Sequence, residues 1–522
     1  MRLEVLDTTL RDGAQSGGMS LRAQDKIRVM RALDSLGVDY IEAGMPAGSE
    51  TDARFYEIIK HEKPLVNAVL CAFSSTCHPA CKAEDDENLK ACAFSPAPVV
   101  SVFGKASEWQ VKRVLQTETS ENLRMIEESV RFLKNAGKRV FFDAEHFFDG
   151  AAENMDYSLE CLRAAARGGA EILTLCDTNG GSLIGRVSDI VRRVNSEFAG
   201  MLSIHAHNDS GIAAAISMAA VSAGVVQVQG TVGGMGERCG NADLCTLLPN
   251  LILKMGYDMK AKECLKNLTH LSRTISEICN FTPDRRAPYV GSSAFAHKGG
   301  THIDAILKDD RSFEHINPKI VGNSRRLLIS DQSGRSAVHS RLLLAAPDIK
   351  RDSPEMDKIM LAMKKKAAEG YRYENAEGSF ELLALKAIGR RKTFYEVIDF
   401  HVLCEKAIDA RNAMAHIKVR VGDSEKINAA EGDGPVNALD NALRKALSVF
   451  YPCLEKMRLT DFKVRVIDSG GTASTVRVQI ETTDGERVWS TIGVSPNIIS
   501  ACFKALTDSI DYMLTFLDKP MA

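Results

Sequence analysis

An excess of charge of either sign is the first thing missing from this sequence. Its 66 Lys and Arg are matched by 68 Asp and Glu, for a net charge of -2 over 522 residues. There is no broad field of one sign to gather nucleic acid or hold an anionic bilayer, so neither partner is expected. Long apolar runs are missing too. The longest stretch nearly free of charge, from Ser210 to Gly240, is broken by polar residues and by Glu237 and Arg238 and is rich in Ala and Gly, which predicts a buried helix and strand instead of a membrane span. No basic, apolar, small-residue leader precedes the strand-like residues that begin at Leu3, so a cytoplasmic location is expected. The thirteen cysteines are odd in number and include no C-x-x-C pair, which argues for reduced thiols. Cys77, His78 and Cys81 are close enough in sequence for a metal cluster, but they read better as loop and helix-entry residues.

What is present is enough apolar residue for more than one core. Hydrophobic residues make up 45% and charged residues 26%, ordinary for a globular chain, and the length calls for two or three domains. Through the first half, short β-rich runs alternate with amphipathic stretches. The runs are Leu3–Leu10, Asp39–Met45, Leu65–Phe73, Pro98–Gly104, Arg139–Glu145, Glu171–Thr178, Met201–Asn208 and Val225–Val232. Leu21–Leu36, Ser120–Ala136 and Met155–Arg167 have helical periodicity, and Gly37, Gly137, Gly168 and Gly224 fall where helices should stop. Eight such units in about 250 residues are the count and size of a (β/α)8 TIM barrel, with a doubly wound sheet as the alternative.

A barrel of this kind places its chemistry at the carboxyl ends of its strands. Arg11 and Asp12 follow the first run, Glu42 closes the second, Glu145 and His146 the fifth, and Asp177 and Thr178 the sixth. His205 and His207 close the seventh. Two apart on a strand, they point to one face, as a divalent metal requires of two ligands, although a pair of core histidines would show the same spacing. Polar residues recurring at so many strand ends favour the metal. The glycine-rich turn Gly233–Asn241 follows the eighth run. It lacks the G-x-G-x-x-G spacing and closes a barrel instead of opening a first βαβ unit, so it is not read as a nucleotide fingerprint.

Three separated motifs resemble the 2-isopropylmalate synthase family, which shares a metal-dependent barrel superfamily with homocitrate synthases and 3-hydroxy-3-methylglutaryl-CoA lyase. They are Leu6-Asp7-Thr8-Thr9-Leu10-Arg11-Asp12-Gly13, His205-Ala206-His207-Asn208-Asp209 and Gly236-Glu237-Arg238-Cys239-Gly240-Asn241. Phe141–Gly150, Leu175–Gly181 and Tyr289–Gly300 are most similar to its (R)-citramalate synthase branch. The resemblance runs over nearly the whole chain. It implies that Asp12, His205, His207 and Asn241 hold a divalent metal such as Mg, Mn or Zn. It further implies that Arg11 faces the oxo group or carboxylate of a 2-oxo acid and that Thr178 binds that carboxylate. Glu145 would sit near the acetyl group, and His302 would act as the catalytic base with Glu145 assisting. The implied substrates are acetyl-CoA and pyruvate, with 2-oxoisovalerate as the alternative oxo acid. A carbon–carbon lyase and a non-catalytic amino-acid sensor are the competing classes, and each leaves part of the chain unexplained. Asp143 stands where relatives carry an aromatic residue.

The expected organisation is a barrel at 1–275, linker subdomains covering the active site at 276–388, and an α+β effector and dimerisation domain at 389–522. Residues from about Asn280 to Arg341 read as loop-rich, and Ser353–Glu369 as a charged helix. The last segment reads as two βββα units. One has strands in Met414–Ile427 and a helix Val436–Leu447 opened by Gly434-Pro435. The other has strands in Thr475–Val494 and a helix Asn497–Leu514 opened by Ser495-Pro496, with Phe462–Ile467 alternating as a half-exposed strand does. By the resemblance this domain binds isoleucine as effector, with Gly432-Asp433-Gly434 and Ser469–Ala473 as candidate contacts, and the chain forms a homodimer.

Overall fold

Eight parallel strands close on themselves in the N-terminal half. They are β1 (Glu4–Asp7), β2 (Tyr40–Glu42), β3 (Val69–Ser75), β4 (Val99–Lys105), β5 (Arg139–Glu145), β6 (Ile172–Asp177), β7 (Leu202–Ala206) and β8 (Gln227–Gly230). They pair in chain order, and β1 joins β8 through Glu4↔Gln227 to Asp7↔Gly230, so no edge is left open. The computed structural model describes residues 2–328, 333–343, 345–404, 413–468, 471, 474–485 and 487–517.

All eight expected strands are present. The third lies further along the chain than its apolar run suggested, because the Asp34 carboxylate accepts from the backbone N–H of Val66, Asn67 and Ala68 at 2.9, 2.8 and 2.8 Å. Those groups are taken before the ladder begins. Leu6, Tyr40, Cys71, Val99, Phe141 and Ile172 fill the barrel interior, with Tyr40 edge-on to Phe141 at 5.1 Å. The strands' other faces and the surrounding helices form the main core, which buries Leu33, Val130, Leu162 and Ile216 among others. Ser210–Gly240 divides as expected into the helix Ala213–Ser222 and β8. Among the described residues no helix is long and apolar enough to cross a membrane.

Helix boundaries differ from expectation, most of all in one case. The helix expected over Met155–Arg167 runs Phe147–Gly168, broken at Asn154, and its left-handed cap is Gly169 at φ 103° instead of Gly168. Gly168 stays helical and lets the backbone approach its neighbour, since a Cβ there would come within 2.7 Å of the Glu127 carbonyl.

The chain divides into two compact units, one of residues 1–295 with 316–324, the other of 296–315 with 325–522. In the second, the stretch expected to be loop-rich carries a small parallel sheet of β9 (Ala296–His297) and β10 (Arg326–Leu327) and the helices Gly300–Lys308 and Arg335–Leu342. Burial of Ile303 with Val338, Leu342, Met356 and Phe380 explains the order. The charged helix is Pro354–Ala368, capped by Ser353.

Both βββα units are present: β11 (Glu396–Cys404), β12 (Ala413–Val421) and β13 (Ser424–Gly432) with helix Pro435–Leu447, then β14 (Arg458–Val466), β15 (Val476–Thr483) and β16 (Val488–Ser495) with helix Ile498–Tyr512. Pro435 occupies the first helical position, as expected. Pro496 does not: Asn497 is the N-cap, its side chain accepting from Ser500 N, so the proline precedes the helix. Leu439, Leu443, Val478, Ile480, Trp489 and Leu506 form the core between sheets and helices.

Candidate metal centre and active site

Three donor atoms converge at the carboxyl end of the barrel. Asp12 lies on the turn after β1, His205 near the end of β7, and His207 immediately beyond it. Asp12 Oδ2 is 3.1 Å from His205 Nε2 and 3.5 Å from His207 Nε2, and the two Nε2 atoms are 3.3 Å apart. All three side chains are buried, and among the described residues they are the one group of three His, Cys, Asp or Glu able to share an ion. Burial alone would raise the Asp12 carboxyl, but Arg11 and the two imidazoles outweigh it and hold the group well below the usual carboxylate range. Burial, with His205 alongside, pulls His207 down to about 4. An ionised carboxylate beside a neutral imidazole is the donor state a divalent cation needs.

Asn241 reaches the same place through the glycine-rich turn. Its backbone bridges to His207, its Nδ2 donates to the Met235 carbonyl at 3.2 Å, and its Oδ1 is buried with no hydrogen-bond partner. Gly240 makes this turn possible: φ is +84°, and a Cβ would lie 1.9 Å from the Gly234 carbonyl. An orphaned amide oxygen beside a carboxylate–imidazole cluster fits a hard or borderline divalent ion.

Arg11 lies between two carboxylates. Its Nε donates to Glu42 Oε2 at 2.6 Å, Nη1 is 3.4 Å from Asp12 Oδ2, and the guanidinium lies 4.2 Å from the centre of the Phe73 ring. Glu42 is fully buried with Oε1 unpartnered, and burial pushes it up to about 7 against the pull of Arg11. A cavity of about 270 Å³ opens over these groups and is also lined by Phe103, Asp143, Glu145, Thr178 and Arg238. Thr178 Oγ1 accepts from His146 N at 2.9 Å, which fixes the hydroxyl at the cavity wall. Glu145 is half-buried and ion-paired with Lys105 at 2.5 Å.

Arg11, Asp12, Glu145, Thr178, His205 and His207 are thus brought to one cavity, with Asn241 beside it. His302 belongs to the other compact unit. It is on the helix Gly300–Lys308, and it is exposed with its ring stacked on Phe313 at 4.1 Å. Cys77, His78 and Cys81 form no ligand cluster; Cys77 is buried, and its backbone N–H donates to Ser129 Oγ.

Sequence reasoning missed Lys105, Gln229, Phe73 and Phe103. Lys105 closes β4 opposite Glu145 in register, so the strand-end criterion could have found it. Gln229 belongs to the Gln227-Val228-Gln229 alternation in β8, a sign of polar residues facing the barrel interior. Phe73 and Phe103 stack at 5.2 Å, but aromatic residues at strand ends carry no signal that separates wall from core.

The fold and this cluster define a class: residues 2–275 match the HMGL-like family model. Residues 289–371 match the homocitrate synthase post-HMGL domain-like model, and 374–514 the LeuA allosteric (dimerisation) domain. Over its whole length the chain is similar to curated (R)-citramalate synthases. It is 46% identical to that of Synechocystis sp., covering 99% of this chain and 96% of the relative. It is 45% identical to those of Aquifex aeolicus and Geobacter sulfurreducens, covering 98% of this chain and 98% and 97% of theirs. The chain belongs to the (R)-citramalate synthase family.

Proposed function

We propose that this enzyme condenses acetyl-CoA with pyruvate and water to give (R)-citramalate and CoA, a step toward isoleucine by way of 2-oxobutanoate. The observation that carries this is full-length identity of 40–46% to five (R)-citramalate synthases, in a chain whose barrel end gathers Asp12, His205 and His207. Asp12, His205, His207 and the orphaned Asn241 oxygen would hold the divalent ion, which supplies Lewis acidity toward a 2-oxo acid. Arg11, held by Glu42, offers a fixed cation for the negative charge that develops on the ketone oxygen, and a preorganised donor of this kind is worth about 10²–10³ in rate. The Thr178 hydroxyl would hydrogen-bond the substrate carboxylate. The stacked Phe73 and Phe103 rings limit the cavity near Arg11, which favours the methyl of pyruvate over the branched chain of 2-oxoisovalerate; a difference of that size changes preference by about 1–3 kcal/mol.

His302 would take the proton from the acetyl methyl, with Glu145 assisting, and thioester hydrolysis would then release CoA. The three segments 1–275, 276–388 and 389–522 would serve as catalytic barrel, linker covering the site, and effector and dimerisation domain. Exposed apolar side chains on the last of these, Leu403, Met414 and Ile427 in the first sheet and Val466 and Val488 in the second, support a homodimer. Isoleucine as effector is supported by the match to an allosteric domain model. Of the proposed effector contacts, Gly432 is packed against Ala438, where a Cβ would lie 2.4 Å from its backbone nitrogen, and of Ser469–Ala473 all but Gly471 lie outside the described residues. Identification of the product by mass and chiral chromatography tests the reaction. A product with the mass of citramalate, of R configuration and formed only with both substrates, is expected; no acetyl-CoA consumption with any 2-oxo acid would reject it.

A further inference from the structure

Behind the imidazole cluster, four side chains from four neighbouring or facing strands form one directed chain of hydrogen bonds. Ser101 Oγ, on β4, donates to Asp143 Oδ2 on β5 at 2.7 Å. Gln229 Nε2, on β8, lies 3.1 Å from Asp143 Oδ1 and 3.1 Å from Thr174 Oγ1. Gln229 Oε1 lies 3.0 Å from His205 Nδ1. All of these residues are buried, so no solvent replaces a mismatched partner.

The directions follow from the chemistry of the groups. A carboxylate only accepts, so the face of Gln229 toward Asp143 must be its NH2; the reversed amide would set oxygen against oxygen. The amide oxygen is thereby turned to His205, and because it can only accept, the His205 proton must reside on Nδ1. Nε2 is left with its lone pair, on the side that faces Asp12 and His207. We propose that Gln229 and Asp143 are positioning residues that lock His205 in the Nδ1–H tautomer, so that Nε2 is permanently presented as a metal ligand. Asp143, which lines the cavity, is then also the anchor that decides which way the Gln229 amide faces. This rests on the reading of Asp12, His205 and His207 as metal ligands.

The lock makes an unusual prediction for an isosteric change. In Asp143→Asn the new amide can donate to Gln229, which permits the Gln229 amide to reverse. Its NH2 would then face His205 and favour the wrong tautomer. The variant should bind Mn2+ about 10–100-fold more weakly than the wild type, the usual cost of losing an outer partner of a ligating histidine. The double change Asp143→Asn with Gln229→Glu exchanges carboxylate and amide. The carboxylate introduced on β8 could accept both from His205 Nδ1–H and from the amide introduced on β5, whose oxygen in turn accepts from Ser101. Affinity should therefore return most of the way. A packing role alone gives no reason for the second substitution to repair the first.

Mn2+ titration of the full chain, followed by electron paramagnetic resonance of free Mn2+ at one pH, reads this directly, with apo-protein melting to confirm the fold. If Asp143→Asn melts early, Gln229→Met, which keeps side-chain length without any partner for Nδ1, should show the same loss of affinity. Wild-type affinity in the folded single variants, or no recovery in the folded double variant, overturns the lock. His207→Ala separates the two readings. If it abolishes Mn2+ binding while Asp143→Asn does not alter it, only the lock fails. If His207→Ala binds Mn2+ as the wild type does, the metal-site reading fails and the lock with it.

Discussion

Replacing Arg11 by methionine removes one cation from between two buried carboxylates while keeping an unbranched stem to pack over Phe73. Arg11 Nε is the partner of Glu42 Oε2 at 2.6 Å, and the other Glu42 oxygen has none. Breaking a buried pair from one side leaves an uncompensated charge, at a cost of about 3–5 kcal/mol. In a domain of this size that lowers Tm by roughly 2–4 °C for each kcal/mol. The deficit should depend on pH. Burial already pushes Glu42 up to about 7 in the presence of Arg11, and without it the carboxyl rises further. A carboxyl whose folded value is raised contributes stability that is present at low pH and lost as pH rises through that value. The gap between variant and wild type should therefore be widest above neutrality and narrow as pH falls toward the ordinary carboxylate range. Glu42→Gln in the same background should recover most of the loss. Thermal melting of wild type, both single variants and the double variant across this pH range is the assay. A melting temperature for Arg11→Met within about 2 °C of wild type above neutrality, or a deficit that ignores pH, would show that Arg11 does not compensate the Glu42 charge.

Three further outcomes are expected. His207→Ala should lower affinity for divalent metal by more than about 100-fold, beyond the range for outer-sphere changes, as read by metal titration; full occupancy at wild-type concentrations would remove it from the ligand set. Mixing an inactive His302→Ala protein with an inactive His207→Ala protein should restore part of the activity if His302 works in a partner's site, and no recovery after verified subunit exchange would leave it acting within its own chain or not at all. Isoleucine at millimolar concentration should reduce turnover 5- to 150-fold at most, the range of a coupling of about 1–3 kcal/mol. A chain ending near Arg390 should keep some catalysis and lose that response, and an intact enzyme indifferent to both isoleucine and leucine would end the effector proposal.

Much of the barrel was legible because its strands are short apolar runs separated by amphipathic stretches, and because polar residues in such runs fall at their carboxyl ends. What was not legible depended on distant partners. The start of β3 is set by the Asp34 side chain on a preceding helix, and no local pattern reports that. Gly168 and Gly169 are adjacent, and only the approach of Glu127 decides which one stays helical. The helix bearing His302 is short and glycine-led, and its order comes from burying Ile303 among residues that follow it by 34 positions or more, from Ala337 onward. In the site, His205 and His207 could be named from their spacing and Asp12 from its place after the first strand, with its ligand role implied by the family resemblance, whereas Gln229 and Lys105 acquire meaning only once β8 stands beside β7 and β4 beside β5.

The proposed site of the condensation of acetyl-CoA with pyruvate is the cavity over Arg11. Its most direct test is release of free CoA from acetyl-CoA, followed with a thiol reagent, with pyruvate, 2-oxobutanoate and 2-oxoisovalerate offered separately in the presence of divalent metal and again after chelation. The highest kcat/KM is expected with pyruvate, and chelation should abolish all turnover reversibly. Faster turnover with 2-oxoisovalerate, or undiminished turnover without metal, would contradict it.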